Sequence, residues 1–324
     1  MEALYDDTRP VIPDYLFKVK AYRYRAARQG WKHIHLDKVE SKKCPSQVRI
    51  ITWNVSFDMS GPVERLNAAL RHLETDILGC KKGEAPDPCL ILLQEVNIKM
   101  FSYLLEDAWV RSNFTITPRQ PDRWPKNAFY GNVTLVSRSI CIVDCGIVHF
   151  GGSVYQRSGV IVDIRLKSPP SKEGGGNKDS TGIIRIINTH LESMPSGLAA
   201  RRVQLDILSK LLFANEELQG GLIAGDMNSI GPNEHDYPAE LGLRDAWKRG
   251  DNTKEAHTWG YQSPENYPAA RLDKVLYLPG RGYKVEEPKR VGVGIAVKDP
   301  VSGEETKLYA SDHYGLDTVL RMTR

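Results

Sequence analysis

The sequence predicts an α/β (α+β) protein, a layered sandwich in which two packed β-sheets are covered by helices. Two observations predict this class: many short β-rich runs are spread along the chain, and two segments with helical spacing lie among them. The composition agrees with a globular protein, because 41% of the 324 residues are hydrophobic and 26% are charged.

The first predicted strand is Val48–Trp53, a β-rich run that ends at Asn54. A helix is predicted from Pro62, where apolar residues follow at intervals of three and four. The unbroken apolar run Cys89–Leu93 is typical of a strand covered on both faces, and Gln94 and Glu95 follow at its end.

The rest of the chain continues the same pattern. Further strands are predicted at 114–118, 129–138, 140–150, 154–167 and 183–189, then a helix near 197–213 and a buried strand over 221–225. The stretch from Ser168 to Gly182 is rich in Gly, Ser, Pro and Lys, which predicts a flexible hairpin tip.

Residues 1–46 differ in composition, so we expect a basic and aromatic N-terminal arm before a catalytic domain at 47–324. Between Phe17 and Lys32, six Lys or Arg residues alternate with aromatic ones. This pattern is compatible with a nucleic-acid contact. The favoured alternative is an arm whose aromatic side chains pack on the domain while its charges face water.

Composition gives weak indications about the setting of the protein. A formal charge of +4 suits an anionic partner without requiring one. The five cysteines have no zinc spacing, so we expect reduced thiols. Neither a leader pattern nor an apolar run long enough to span a membrane is evident, so we expect an intracellular monomer, in the nucleus or the cytoplasm.

Polar residues follow the predicted strands at several points, which predicts one active site at a shared sheet edge. The candidate catalytic residues are Asn54, Glu95, His190, Asp226, Asn228, Asp273, Asp312 and His313. Most of them have an alternative structural explanation, such as an Asx turn for Asp226 or a helix cap for Asp312. Their joint occurrence favours the active site.

The residue types suggest separate roles. Glu95 ends a covered strand, where an unpaired carboxylate is costly, so it is the best metal ligand; Asn54 is expected to support it. Asp226 and Asn228 lie two apart, so that their side chains share a direction, which suits the orientation of an attacking water. Asp312 completes the metal or base set.

The histidines are expected to act on phosphate oxygens. His190 follows a strand and could donate to phosphate, although a lone histidine is more often structural. Asp273 is predicted to hold His313 in one tautomer. The set predicts attack of water on phosphorus assisted by Mg²⁺, with Mn²⁺ as a substitute. Ser193 is expected to donate to phosphate.

In this order the motifs TWN, QE, HLES, GDMN, HTWG, RLDKV and SDHYGL resemble the endonuclease/exonuclease/phosphatase superfamily of Mg²⁺-dependent phosphoesterases. The resemblance covers about residue 47 to the C-terminus and is greatest for the 5′-tyrosyl-DNA phosphodiesterase branch. It implies a four-layered α/β/β/α sandwich of two mixed β-sheets flanked by helices. It carries over the eight catalytic residues, with Ser193 and Trp259 as substrate contacts and Glu95, Asp312 and Asn54 around the metal.

The chain departs from that branch at three positions. Ile230 and Pro195 stand where its best-known members have arginines that contact phosphate or DNA. Ser56 stands where an acidic residue is usual. We expect Arg201 and Arg202, after HLES, to bind the substrate in place of the missing arginines.

The leading functional hypothesis is therefore a phosphodiesterase of 5′-phosphotyrosyl DNA ends, with DNA 5′ ends or protein–DNA adducts as partners. The alternative is a general nuclease or phosphatase on nucleotide, RNA or phosphoinositide substrates. A phosphate-binding protein without activity is the least favoured, since the metal and histidine candidates are all present.

Overall fold

The computed structural model describes residues 11–36, 44–57, 60–81, 83–169, 180–214, 216–231, 233–250, 253–262, 267–298 and 302–323. Over these ranges no helix has both the length and the apolar character needed to cross a membrane.

Eighteen strands and five α-helices form the described structure. The strands are β1 (Phe17–Lys18), β2 (Tyr22–Arg25), β3 (Gly30–His33), β4 (Gln47–Asn54), β5 (Cys89–Asn97), β6 (Phe114–Thr117), β7 (Tyr130–Ser137), β8 (Cys141–His149), β9 (Ser158–Lys167), β10 (Thr181–His190), β11 (Leu218–Asp226), β12 (Arg244–Asp245), β13 (Asp273–Tyr277), β14 (Tyr283–Val285), β15 (Lys289–Val291), β16 (Ala296–Lys298), β17 (Glu305–Tyr309) and β18 (Gly315–Met322). The helices are α1 (Pro62–His72), α2 (Ile98–Glu106), α3 (Ala108–Asn113), α4 (Leu198–Leu211) and α5 (Tyr237–Glu240).

Two large sheets contain most of the strands. Sheet one has the order β1-β8-β9-β10-β11-β13-β12, and sheet two has the order β14-β18-β4-β5-β7-β6-β2-β3, with β15 also paired to β18. Each sheet is mixed: β4 and β5 are parallel in sheet two, as are β10 and β11 in sheet one, while their other neighbours are antiparallel.

The sheets pack face to face in a sandwich. One apolar core, which includes Ile50 and Val162, lies between them. A second core joins the outer face of sheet two to α1 and α2, and a third joins the outer face of sheet one to α4. These layers confirm the predicted α/β (α+β) sandwich with two mixed sheets flanked by helices.

The predicted strands and the two predicted helices are present, with differences at their ends. The run 154–167 is shorter than predicted: β9 starts at Ser158, and residues 154–157 form a loop. The predicted hairpin tip joins β9 to β10, which pair antiparallel; residues 170–179 of it lie outside the described ranges.

The N-terminal arm, described over 11–36, lies on the sandwich. Strand β1 pairs with β8 of sheet one, whereas β2 pairs with β6 of sheet two. The Trp31 ring packs edge-on against Tyr24, and its indole donates to the Leu105 carbonyl at 3.1 Å. The aromatic side chains are thus used in packing, while the domain boundary at residue 46 stays a prediction.

All five cysteines have free, buried thiols. The Cys44 Sγ lies 2.7 Å from the Cys141 Sγ, where the arm meets β8. Burial, followed by the contact with Cys141, raises the pKa of Cys44 to about 12, so this thiol is protonated at neutral pH.

Gly225 allows β10 and β11 to lie close together below the polar residues at their ends. Its φ is 149°, and an added Cβ would overlap the Thr189 carbonyl oxygen, which belongs to the backbone and cannot move aside. We expect Gly225→Ala to lower the free energy of unfolding by at least about 2 kcal/mol. Urea denaturation would measure this loss.

Gly242→Ala is the matched control for that substitution. Gly242 also has a positive φ, 73°, but nothing lies within 4 Å of the position of its Cβ. Its cost should be limited to backbone strain of about 1 kcal/mol. Equal losses in the two variants would contradict the steric explanation.

Candidate active site

The candidate residues meet at one edge of the sandwich because several strands end there. Asn54 of β4 is paired with Gln94 of β5, and His190 of β10 with Asp226 of β11. Antiparallel β13 begins at the same edge, where Asp273 pairs with Asp226. The loop before β18 adds Ser311, Asp312 and His313. The residues predicted to form the site are therefore neighbours in space.

Asp226 is the centre of the hydrogen-bond network. Its Oδ2 accepts from Asn54 Nδ2 at 3.0 Å and lies 3.2 Å from His190 Nε2. Its Oδ1 accepts from the Asn228 backbone N–H at 2.9 Å. Only 1% of Asp226 is exposed, so these contacts fix the orientation of its carboxylate.

His190 is a neutral imidazole in this arrangement. Burial, with Arg157 and His313 nearby, holds the pKa of His190 well below its usual value. An Arg157 guanidinium nitrogen lies 3.0 Å from Nδ1, and arginine can only donate, so Nδ1 accepts and the proton is on Nε2. That proton is directed to Asp226, which leaves none for the phosphate contact predicted for His190.

His313 carries the opposite charge state. Burial would lower the pKa of His313, but Asp273, Asp226 and Asp312 raise it well above its usual value. Nδ1 lies 2.9 Å from Asp273 Oδ2, whereas Nε2 is 3.7 Å from Asp226 Oδ2, too far for a hydrogen bond. The pair is an imidazolium and a carboxylate, although burial raises the pKa of Asp273 to about 6.

Glu95 lies in a bulge of β5, where the register with β7 shifts between Leu93 and Val96. Its φ is 59°, which turns the side chain out of the strand alternation. The carboxylate accepts the Phe57 backbone N–H at 3.0 Å, and its other oxygen is 3.7 Å from His190 Nδ1. Burial, opposed by Arg157 and reinforced by Asp312, raises the pKa of Glu95 to about 7.

Asp312 is partly exposed beside Trp259. The Trp259 indole donates to Asp312 Oδ2 at 3.2 Å, and its ring centroid is 6.5 Å from that of His313. Burial would raise the pKa of Asp312, but His313 and the Trp259 hydrogen bond lower it. Trp259 thus lies at the site, partly exposed, as a substrate contact requires, whereas Trp247 is buried in the core.

Arg157 is the functional candidate that the sequence patterns did not reveal. It is 4% exposed, and it donates to the Tyr130 hydroxyl at 3.0 Å and to Ser193 Oγ at 2.5 Å, besides its contact with His190. Its position just before β9 is the feature that could have identified it. Because β9 runs antiparallel to β10, its first residues lie beside the last residues of β10.

Arg201 does not fit the predicted role of substrate contact. Its guanidinium is 2% exposed, forms two hydrogen bonds with Glu234 at 2.6 and 2.8 Å, and donates to the carbonyls of Glu192 and Met194. All three of its nitrogens are engaged, so it positions the loop after β10. Arg202 is exposed, pairs with Glu240 and lies over the Tyr237 ring, and its substrate role stays a prediction.

The other predicted positions lie at the rim. The Asn228 side-chain amide donates to the Leu191 carbonyl at 3.0 Å, and so holds two site loops together. The Ser193 hydroxyl accepts a hydrogen bond from Arg157. Ser56 accepts from Arg65 at 3.3 Å. Ile230, where the resembling branch has arginine, is 43% exposed.

We expect Arg157→Gln to lower kcat/KM for a phosphodiester by about 10²-fold, the usual cost of one lost anion donor. Glutamine retains the hydrogen-bonding ability but loses the charge that faces Glu95, His190 and any bound phosphate. Steady-state kinetics would measure the loss, with Arg165→Gln, farther along β9, as control. An unchanged kcat/KM would contradict the assignment.

Two sets of atoms have the composition of a metal site. Asp226, Asp273 and His313 offer ligand atoms within 4.8 Å of one another. In this set the carboxylates already have partners: Asp226 Oδ2 contacts Asn54 and His190, and Asp273 Oδ2 contacts His313 Nδ1. Glu95 and Asp312 are the other candidates, since the charge of Asp312 contributes to the raised pKa of Glu95 and neither carboxylate has a salt bridge to a Lys or Arg in the described residues.

Comparison with known proteins identifies structures of similar fold. No family model matches the sequence, and no curated protein matches it. A D. rerio TDP2 humanized by 14 mutations superposes with a TM-score of 0.61 and 19% identity, over 86% of this chain and 100% of that one. D. rerio TDP2 complexed with a single strand DNA product gives 0.60 and 17%, over 86% and 100%.

An endonuclease/exonuclease/phosphatase family protein from Bacteroides thetaiotaomicron gives a TM-score of 0.59 at 12% identity, over 86% of this chain and 99% of that one. Likeness at this level establishes the fold. The chain has the fold of the endonuclease/exonuclease/phosphatase structures, as its motifs predict.

Proposed function

We propose that this chain is a metal-dependent phosphodiesterase that hydrolyses phosphoester bonds at DNA ends, with 5′-phosphotyrosyl ends as its leading substrate. The observation that carries the proposal is the convergence, at one sheet edge, of a buried imidazolium, a buried carboxylate of raised pKa and a buried arginine. These are His313, Glu95 and Arg157. A phosphoryl group is the common substrate group that uses all three.

The protein groups divide the work of hydrolysis. Asp226, fixed by Asn54, His190 and the Asn228 N–H, orients the attacking water and accepts its hydrogen bond. His313 has an N–H at Nε2 that does not meet the hydrogen-bond distance to Asp226, so it is available to a phosphate oxygen. Arg157 supplies the second cation. Asp273 maintains the charge and tautomer of His313.

Glu95 fits a divalent cation, with Asp312 beside it and Asn54 in support. The fit rests on the Glu95 carboxylate, which is buried, has a pKa of about 7, and forms no salt bridge to a Lys or Arg in the described residues. Mg²⁺, or Mn²⁺ in its place, would neutralise charge on the phosphate oxygens when bound. No histidine nitrogen is required for this site.

The DNA-end substrate is supported by the motif resemblance and by the fold shared with a TDP2 bound to a single strand DNA product. Trp259, partly exposed beside Asp312, offers an aromatic face to a base or a tyrosyl ring. Ser193 Oγ lies 2.5 Å from Arg157 Nη2, so the two side chains would bind the same phosphate. The intracellular setting and the monomeric state stay predictions.

Purified protein incubated with 5′-tyrosyl and 3′-tyrosyl oligonucleotides would test the proposal. We expect release of tyrosine from the 5′ substrate in Mg²⁺ and none in EDTA. Release from neither substrate would contradict the tyrosyl-DNA assignment. The metal-dependent activity itself would then be tested on plasmid DNA, abasic DNA, poly(A) and inositol phosphates.

A general nuclease or phosphatase activity is the second candidate. The residues at the rim of the site favour it. Ile230 and Pro195 replace two arginines of the resembling branch, and Arg201 is unavailable. Fewer arginines are therefore available here than in that branch to bind a DNA strand next to the phosphate. Turnover of one member of the panel at a higher kcat/KM than the tyrosyl substrate would establish this candidate.

A further inference from the structure

The alternation of strand β2 separates its aromatic residues from its arginines. Successive side chains of a strand point to opposite faces, so Tyr22 and Tyr24 share one face and Arg23 and Arg25 share the other. The tyrosine face packs towards the helices: the Arg111 guanidinium lies 4.7 Å from the centroid of the Tyr24 ring. On the arginine face, Arg23 is half-buried and donates to the Thr115 hydroxyl at 3.1 Å, whereas Arg25 is exposed.

Five cations gather on and beside this second face, and we name them the arginine edge: Arg23, Arg25, Arg28, Lys32 and Arg138. Arg23 lies opposite Lys32 in the β2–β3 pair, so both side chains point the same way. Arg138, in the turn after β7, donates to the Tyr24 carbonyl at 2.9 Å, which attaches it to β2.

The arginine edge lacks paired carboxylates in the part of the chain that the structure describes. None of its five cations forms a salt bridge there, whereas Arg49, Arg185, Arg201 and Arg271 each pair with a carboxylate. Arg138 Nε is buried without a hydrogen-bond partner. Burial, together with the charges of Arg138 and Arg25, lowers the pKa of Arg23 to about 10. The fold therefore tolerates mutual repulsion that a nearby acidic side chain would remove.

The arginine edge lies at the far end of the sandwich from the candidate active site. Strand β7 begins at Tyr130, which contacts Arg157, and ends at Ser137, directly before Arg138. Eight residues of strand span about 25 Å. The two positively charged regions are thus separate, and a ligand must be about 7 stacked nucleotides long to reach both.

We propose that the arginine edge binds the phosphate backbone of a nucleic-acid strand whose end occupies the candidate active site. The choice of nucleic acid rests on the proposed function. Guanidinium groups bind phosphate through paired N–H donors, and Arg25 and Arg28 are both exposed, so each can contact a phosphate of the backbone, while the charge of the half-buried Arg23 adds to the attraction.

Fluorescence anisotropy with labelled single-stranded DNA of 20 and 5 nucleotides, in EDTA, would test the proposal without requiring turnover. The test variant is Arg25→Gln/Arg28→Gln, in which both side chains are exposed. The matched control is Lys284→Gln/Lys289→Gln, which removes the same charge from exposed positions at the other edge of sheet two. Binding is measured at several NaCl concentrations.

The test variant should bind the 20-nucleotide strand about tenfold more weakly at low salt, and its plot of log K against log salt should be flatter by about 1.4, as expected for two lost phosphate contacts. The 5-nucleotide strand, which is too short to contact both regions at once, should lose less affinity in the test variant than the 20-nucleotide strand. An unchanged slope, or equal losses in test and control, would overturn the proposal. The proposal would also be overturned if the test variant lost affinity only for vesicles containing phosphatidylserine and kept its affinity for DNA, which would indicate a membrane partner.

Discussion

Glu95→Gln is expected to lower kcat on the order of 10³-fold while the protein remains folded. Glutamine has nearly the same volume as glutamate and can still accept the Phe57 N–H. What it lacks is the negative charge that makes a buried carboxylate a ligand for Mg²⁺. The expected loss is therefore chemical rather than structural.

Two measurements would separate these explanations. Calorimetric titration with Mg²⁺ should show binding to the wild type and its loss in Glu95→Gln, independently of any substrate. Thermal unfolding in EDTA should show the variant at least as stable, because burying a neutral amide costs less than burying a charge. Glu286→Gln, an exposed glutamate, is the control. Undiminished Mg²⁺ binding by Glu95→Gln would refute the role of this residue.

Asp273→Asn is expected to lower kcat by about 10²- to 10⁴-fold, although Asp273 is fully buried and does not contact the substrate. The carboxylate raises the pKa of His313 and accepts the proton of its Nδ1. An amide can do neither reliably. His313 would then lose its charge at a lower pH, and its ring would no longer be held in one orientation.

The pH profile distinguishes this role from simple destabilisation. Because the imidazolium is the active form and Asp273 raises its pKa, removal of Asp273 should move the alkaline limit of activity to lower pH. Asp317→Asn is the matched control: Asp317 is also largely buried, but it pairs with Arg49, which donates to the Ile77 carbonyl on the helix-covered face of sheet two. It should lower stability and leave the alkaline limit in place. An unshifted limit in Asp273→Asn would count against the pairing.

Much of the fold and of the site could be predicted because both depend on local patterns. Apolar runs of five to ten residues identify strands. A polar residue at the end of such a run lies at an edge of the sheet, whatever the position of that sheet in the molecule. Glu95 after Cys89–Leu93 is an example, since its position needs no knowledge of its neighbours. His313 and Asp273 were paired correctly because an imidazole in such a site needs a carboxylate behind it.

The rest depends on which groups meet in space. Arg157 was missed because its position at the site follows from the antiparallel direction of β9, which the run itself does not reveal. The role of His190 was assigned without knowledge of its burial and of Arg157, which together lower the pKa of the imidazole. Arg201 follows HLES as an anion contact would, yet a buried Glu234, 33 positions away, engages it.

The order of the strands also determines when the site can form. Asn54 lies on β4, and the strand that pairs with β4 on one side is β18, beyond His313. No segment shorter than 54–313 contains the complete set, and its first and last members lie on or next to the paired strands β4 and β18. Such distant pairings form slowly, because the intervening chain must close as a loop first. We therefore expect the candidate site to be completed only late in folding, when β18 pairs with β4.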